Sequence, residues 1–309
     1  MEKKFQKIIF SLLIVFGVLL VIVIQSAPRD GDDAGAEAGN LAPLHQEMEI
    51  HFLDVGQGDA IYIRTPYDQD ILIDGGPDKN VLSELGRVMP FWDHEIDIMI
   101  LTHPHSDHVT GLVEVLRRFD VKEIYYTGVL HTAPDYLTWL NEIQKQNLHL
   151  NIVQDFFAVK LGPDLELQFL APQKNLINKK VEELNNTSIV NKLIYGKTSF
   201  LFMGDAEVEE EAELLEDVKI TSENTSSYEL KSNVIKLGHH GSTSSSSEVF
   251  LQAVKPELGI ICVGTDNEFG HPHLQTIKRL ERLQIPFLRT DLDGRITIIS
   301  DAQNFWIKD

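Results

Sequence analysis

The chain has 309 residues, 43% of them hydrophobic, and a formal net charge of −20. That is enough apolar side chain for a sizeable core, in one large domain or two small ones. Its single cysteine, Cys262 in the apolar run LGIICVG, excludes an intramolecular disulfide and a thiolate-built metal site, so any metal ion must be held by histidines and carboxylates.

Residues 1–27, MEKKFQKIIFSLLIVFGVLLVIVIQSA, carry three lysines followed by an uncharged run from Ile8 to Ile24. At the helical rise that run spans roughly 25 Å, enough for a bilayer core. Lysines before it and acidic residues after it predict an N-terminal membrane anchor: a single-pass protein with the remainder of the chain outside the cytoplasm. The alternative is a cleaved signal peptide, which would leave the protein secreted, although Gln25 two positions before Ala27 makes a poor cleavage site. Residues 28–47, PRDGDDAGAEAGNLAPLHQE, read as a flexible acidic linker. The globular domain is therefore expected over residues 48–309.

That domain opens with the strand-like runs MEIHFLDV and AIYIRT, then DILIDGG, a strand ended by two glycines. NVLSELGRVM has helical spacing, IDIMILT is an apolar run of strand length, and DHVTGLVEVLRRF continues as a helix. KEIYYTG is a strand, and PDYLTWLNEIQKQN is a helix with proline at its start. NIVQDFFAVKLGPDLELQFLAP predicts a hairpin turning at Gly162 and Pro163, and TSIVNKLIYGKTSFLFMGD a second turning at Gly196 and Lys197. AEVEEEAELLEDV is an acidic helix with a solvated face, followed by the polar loop TSENTSSYEL. NVIKLG, STSSSSEVFLQAV, ELGIICVG, LQTIKRLERLQ and RITIIS then alternate strand and helix. The mixture predicts an α/β fold containing antiparallel hairpins rather than a pure βαβ series.

The chemistry concentrates in LTHPHSDHVTGL, where His103, His105, Asp107 and His108 fall within six residues. They leave the end of a buried strand, where open α/β sheets hold their sites. His103 and His105 point the same way in extended backbone, while Asp107 and His108 turn into a helix and offer a second, differently directed pair. Two ligand sets so close together are what a two-metal centre needs. Other candidates stand in similar settings: Asp74 after ILI, Asp205 after SFLFMG, His239 and His240 in VIKLGHHGS, and His271 and His273 in FGHPH. Either aspartate alone could be a turn or cap residue; with the histidines they point to metal. Gly56, Gln57 and Gly58 read as a tight turn before Asp59. GSTSSSS, including Ser242 and Thr243, reads either as a phosphate-binding loop or as a linker.

These motifs resemble the metallo-β-lactamase fold superfamily: HPHSDH matches its H-x-H-x-D-H signature, ILIDGG its first motif and FMGD its fourth. More narrowly, FLDVGQGDAIYI, NNTSIVNKLIYGKTSFLFMGDAE and VIKLGHHGSTSSSS are similar to the ComEC-type branch attached to bacterial competence proteins. The resemblance implies a four-layer αββα sandwich, here expected to follow one N-terminal transmembrane helix. It implies two divalent ions, Zn2+ or Mn2+. LNNTSIV, with Asn185 and Asn186, lacks a histidine usual in the superfamily. His240 is the natural replacement, and His239 the other candidate. The implied ligands are His103, His105 and His240 on one ion and Asp107, His108 and His271 on the other, with Asp205 bridging. His239 is left facing substrate as a phosphate contact or general acid, with Asp107 orienting the attacking oxygen. Asp74 and Asp59 would hold ligands by hydrogen bonds. The implied activity is a membrane-anchored, extracytoplasmic hydrolase of phosphodiesters, in single-stranded DNA or an envelope polymer, with no stable nucleic-acid binding from so acidic a chain. The alternatives are an amide or ester hydrolase of β-lactamase or lactonase type, or a non-catalytic binding module.

Overall fold

The computed structural model describes residues 43–45, 47–221 and 229–308. The first sheet is built from β1 (Met48–Phe52), β2 (Ile61–Arg64), β3 (Asp70–Ile73), β4 (Glu95–Ile100), β5 (Asp120–Tyr126) and β6 (Leu150–Ile152). The second holds β7 (Phe157–Lys160), β8 (Leu165–Ala171), β9 (Val190–Tyr195), β10 (Thr198–Phe202), β11 (Val234–Lys236), β12 (Leu258–Ile261) and β13 (Phe287–Arg289). The chain then returns to the first sheet with β14 (Ile296–Ser300) and β15 (Phe305–Ile307), giving the orders β15-β14-β1-β2-β3-β4-β5-β6 and β13-β12-β11-β10-β9-β8-β7.

Each sheet is half antiparallel and half parallel. Pairing is antiparallel from β15 to β3 and parallel from β3 to β6. In the second sheet it is antiparallel from β7 to β10 and parallel from β10 to β13. Parallel neighbours need long crossovers. They are supplied by α1 (Asn80–Val88), α2 (Ser106–Leu116) and α3 (Pro134–Gln146) in the first sheet, and by α4 (Val208–Thr221), α5 (Glu248–Val254) and α6 (Leu274–Arg282) in the second. A one-turn helix, α7 (Thr290–Asp293), precedes β14.

Strand alternation divides the core into three layers. Ile71 and Ile73 meet Phe169, Phe200 and Phe202 between the sheets, while Leu72, on the other face of β3, packs with Leu112 and Trp139 against α2 and α3. Leu201, Ile235, Phe250 and Leu280 fill the layer between the second sheet and its helices. The result is an αββα sandwich. Central strands buried on both faces explain why DILI and IDIMILT read as continuous apolar runs.

Three expectations change. The hairpin predicted across residues 151–172 divides between the sheets. Leu150–Ile152 closes the first sheet parallel to β5, because α3 has already carried the chain back, and only β7 and β8 form the hairpin. The helix predicted through the serine run begins only at Glu248, where the Ser247 hydroxyl accepts from the Phe250 amide at 3.3 Å. The expected membrane span over residues 1–27 lies outside the described residues, and among the described residues no helix is long and apolar enough to cross a membrane. Over the described residues the fold is therefore corrected to the αβ sandwich alone. The single-pass anchoring, the membrane as a partner and the extracytoplasmic placement that rested on that span are withdrawn with it.

Candidate metal centre

The parallel halves of both sheets aim their carboxyl ends at one place. Asp74 follows β3, His103 lies just beyond β4, Asp205 follows β10, and His239 and His240 follow β11.

Hydrogen bonds fix which nitrogen of each inner histidine faces the centre. His108 Nδ1 donates to Asp74 Oδ2 at 2.7 Å, and Asp74 also accepts from the Thr102 amide at 2.8 Å and hydroxyl at 2.6 Å. With its proton on Nδ1, a neutral imidazole has its lone pair on Nε2. That atom is buried without a hydrogen-bond partner, 3.3 Å from Asp205 Oδ2 and 3.8 Å from Asp107 Oδ2. His240 Nδ1 lies 2.8 Å from the Cys262 carbonyl, which can only accept, so His240 Nε2 is the atom that faces the centre, hydrogen-bonded to Asp107 Oδ2 at 3.2 Å and 3.4 Å from Asp205 Oδ2. His103 Nε2 and His105 Nδ1 converge to 2.9 Å, and His103 Nε2 lies 3.8 Å from Asp205 Oδ2. Asp205 Oδ2 is thus the hub, with His239 Nε2 also 4.0 Å away.

Donor atoms of Asp107, His108, Asp205 and His240 lie within 4.8 Å of one another, as do those of Asp59, Asp74 and His108. These two groups share His108 and fit a binuclear metal centre. Burial pushes the Asp205 carboxyl up, but His240 and His108 beside it hold it well below the usual carboxylate range. Burial pushes His108 and His240 down, yet Asp205 foremost among their neighbours raises both well above an ordinary imidazole. The carboxylates draw positive charge onto these rings, the charge that divalent cations would otherwise bring. His103, buried and beside His108, is pushed the other way.

The sequence reading groups His240 with His103 and His105; the structure groups it with Asp107, His108 and Asp205. His271 sits at the rim outside that group, its ring 5.2 Å from that of His239 and 6.2 Å from that of His240, with Nδ1 buried and unpartnered. His273 precedes α6, and its Nδ1 accepts from the Thr243 amide at 3.0 Å. The Ser242 hydroxyl pairs with that of Ser244 at 2.9 Å. The Ser246 and Ser247 amides are already taken by the Glu211 carboxylate. Asp59 lies under His240, 3.4 Å from its Nδ1.

His239 and His240 both adopt left-handed backbone, with φ of 44° and 51°. Such conformations cost about 1–3 kcal/mol each in non-glycine residues. Here they turn one ring inward and the next toward the mouth: the His240 side chain is 1% exposed and that of His239 24%. The turn also lies close on the loop after β10, since a Cβ on Gly238 would sit 2.4 Å from the Ala206 carbonyl oxygen.

Sequence reasoning passed over Lys236. It is fully buried at the end of β11, ion-pairs with Asp59, donates to the Gly204 carbonyl at 2.7 Å and lies 3.7 Å from Asp205 Oδ1. Burial would lower its pKa, but Asp59 and Asp205 keep it raised and the ammonium charged. A lone cation inside the apolar run NVIKLG was the available signal.

The chain is similar to known proteins in sequence and in fold. The curated relatives include ComE operon protein 3 of Bacillus subtilis (strain 168), 29% identical over 82% of this chain and 33% of that protein. Competence protein ComA of Neisseria gonorrhoeae is 28% identical over 81% of this chain and 32% of its own length, and recombination protein 2 of Haemophilus influenzae is 27% identical over 81% and 28%. The chain spans about a third of the length of the curated relatives it matches. Among solved structures, CmlA, a diiron β-hydroxylase from Streptomyces venezuelae, superposes with a TM-score of 0.52 at 13% identity, covering 81% of this chain and 53% of that one; the likeness is one of fold. The metallo-beta-lactamase superfamily profile matches residues 53–265, and with the sandwich and the His–Asp centre at its strand ends, the chain belongs to that superfamily.

Proposed function

We propose that the chain is a metal-dependent hydrolase with two divalent ions, zinc being the better fit to a His–carboxylate set and manganese the other candidate. His103, His105 and Asp205 would hold one ion, and Asp107, His108, His240 and Asp205 the other. His271, its ring 6.2 Å from that of His240, would complete the second set once ions are bound. The observation that carries this reading is His108 Nε2, buried and unpartnered between two carboxylates while its Nδ1 is committed to Asp74. Ions in such a centre supply a hydroxide nucleophile at neutral pH and polarise the bond to be cleaved. The chain's own groups do the rest. Asp107 would orient the attacking oxygen, Asp205 would belong to both ligand sets, and His239, partly open at the mouth, would take up a proton on Nε2 from the attacking water and pass it to the leaving group. Asp74 holds His108 and Asp59 underlies His240, while Ser242 and Thr243 flank the approach.

The membrane-anchored form of this reading is dropped. The superfamily is named for β-lactamases, which makes amides and esters the first substrate class to test. A second reading, a ComEC-type phosphodiesterase or nuclease acting on single-stranded DNA, draws on the relatives named for competence and recombination. The test is a panel on the metal-loaded protein: a chromogenic β-lactam, a lactone, bis-p-nitrophenyl phosphate, phosphorylcholine esters and single-stranded DNA. Turnover of one class, abolished by chelation and restored by added zinc or manganese, assigns the substrate. Metal analysis should find close to two ions per chain. His103→Ala with His105→Ala should lower that content and abolish turnover, and full occupancy in this double variant would sink the ligand assignment.

A further inference from the structure

Glu207 lies between β10 and α4, two residues beyond the hub carboxylate. Its Oε1 is the meeting point of three loops. It accepts from His239 Nδ1 at 2.8 Å, from the Ser244 hydroxyl at 2.7 Å and from Asn185 Nδ2 at 3.2 Å. Its backbone is held as well, the Glu207 amide donating to Asn186 Oδ1 at 3.0 Å and the Val208 amide to the Ser244 carbonyl at 2.9 Å. The side chain is 14% exposed. A glutamate before a helix ordinarily serves the helix amides or dipole. Here Glu209, Glu210 and Glu211 already fill the first turn, and Glu207 turns to side chains of the site instead.

A carboxylate can only accept, so the 2.8 Å contact places the proton of His239 on Nδ1. The other ring nitrogen, Nε2, then faces the centre, 4.0 Å from Asp205 Oδ2. Among the described residues no other contact fixes this ring so firmly, since its remaining hydrogen bonds, to Ser244 at 3.2 Å and Asn185 at 3.2 and 3.4 Å, are longer. We infer that Glu207 is the positioning residue that sets the tautomer and aim of His239, with Ser244 and Asn185 holding the carboxylate in place. The inference rests on the hydrolase reading for its effect on turnover, and on geometry alone for its effect on the ring.

Four variants test it: Glu207→Ala, Glu207→Gln, His239→Ala and the double Glu207→Ala/His239→Ala. Glu207→Ala should lower kcat by about ten- to a hundredfold, the scale of a misaimed catalytic group, with KM and metal content changed less than about twofold. Glu207→Gln, whose Oε1 still accepts from Nδ1, should recover most of that loss. The double variant should be no slower than His239→Ala, because the two residues act as one unit. Independently of turnover, nitrogen-15 NMR of the imidazoles should show His239 protonated on Nδ1 in the wild type and in Glu207→Gln, and a tautomer mixture in Glu207→Ala. An unchanged tautomer in Glu207→Ala, additive losses in the double variant, or loss of metal in Glu207→Ala would each overturn the inference. Should the wild type turn over none of the panel, the hydrolase reading fails and the NMR result alone decides the role of Glu207.

Discussion

The two halves of the centre hold a buried histidine by different means. On the first sheet, His108 is fixed by Asp74, a carboxylate from a neighbouring strand of the same sheet, and His103 to His108 arrive together on one strand end and helix start. On the second sheet, His240 is fixed by a backbone carbonyl, Cys262, and reaches its place through two left-handed residues. The acidic charge beneath it, Asp59 and Asp205, is offset by Lys236, whose pairing with Asp59 joins the sheets at the floor of the site. The first half is local in sequence and tuned by a hydrogen bond. The second is scattered and depends on a buried cation. Damage to the second should therefore appear as lost stability, and damage to the first as lost metal affinity.

The largest expected effect breaks the second half. Lys236→Met removes the ammonium and leaves Asp59 buried with an uncompensated charge, a change that costs about 3–5 kcal/mol in comparable buried pairs. Urea unfolding of the chelated protein measures it. Adding Asp59→Asn to Lys236→Met should recover part of the loss, because the stranded charge, rather than the lost contact, is the main cost. A Lys236→Met protein as stable as the wild type would show that Lys236 does not hold the floor of the site.

A smaller effect sharpens the contrast from the other side. In Asp74→Asn the amide can still accept from the Thr102 amide, but its NH2 group meets His108 Nδ1–H. The ring must then move its proton to Nε2, the atom needed as a ligand. Metal affinity should fall about ten- to a hundredfold, as for other residues that orient a ligand histidine, while the urea midpoint of the chelated protein shifts little. Competition with a chromogenic chelator reads the affinity. A variant that loses stability as Lys236→Met does, with metal affinity intact, would erase the distinction between the halves.

The same contrast sets what the sequence disclosed. His103, His105, Asp107 and His108 announced themselves because the chemistry needs them on one strand end, and apolar runs bounded by glycine marked the strands that carry them. Asp74 and Asp205 were legible for the same reason. Lys236 was not: its partner Asp59 is distant in the chain, and a lysine at the end of a short strand reads as surface until the first sheet is known to cover it. Glu207 was lost within the acidic run that opens α4. The grouping of His240 was hidden because it depends on two left-handed residues, and histidine gives no advance notice of that backbone. The strand pattern likewise failed at residues 150–152, where the choice between a hairpin and a parallel edge lies in where α3 ends rather than in the strand itself.

The smallest expected effect compares two buried carboxylates on one strand. Asp74, just beyond the end of β3, has His108 as its partner; Asp70, at the start, has the Tyr62 hydroxyl at 2.7 Å, with Asp93 and Asp97 nearby. Burial pushes the Asp70 carboxyl up to about 7, with the Tyr62 hydrogen bond only partly opposing it. Its folded pKa therefore exceeds its unfolded value of about 4. The stability it contributes is full below pH 4 and is lost as pH rises through 7, because the unfolded chain releases this proton first. Asp70→Asn stays neutral at every pH and keeps an acceptor for Tyr62. Relative to wild type it should gain about 2 kcal/mol between pH 5 and pH 8, less than the full worth of the shift because part of it falls below pH 5. Urea unfolding of both proteins, chelated and at the two pH values, gives the difference directly. A gap independent of pH would mean that Asp70 ionises freely in the folded chain and that burial at this end of β3 is less complete than at the end that carries Asp74.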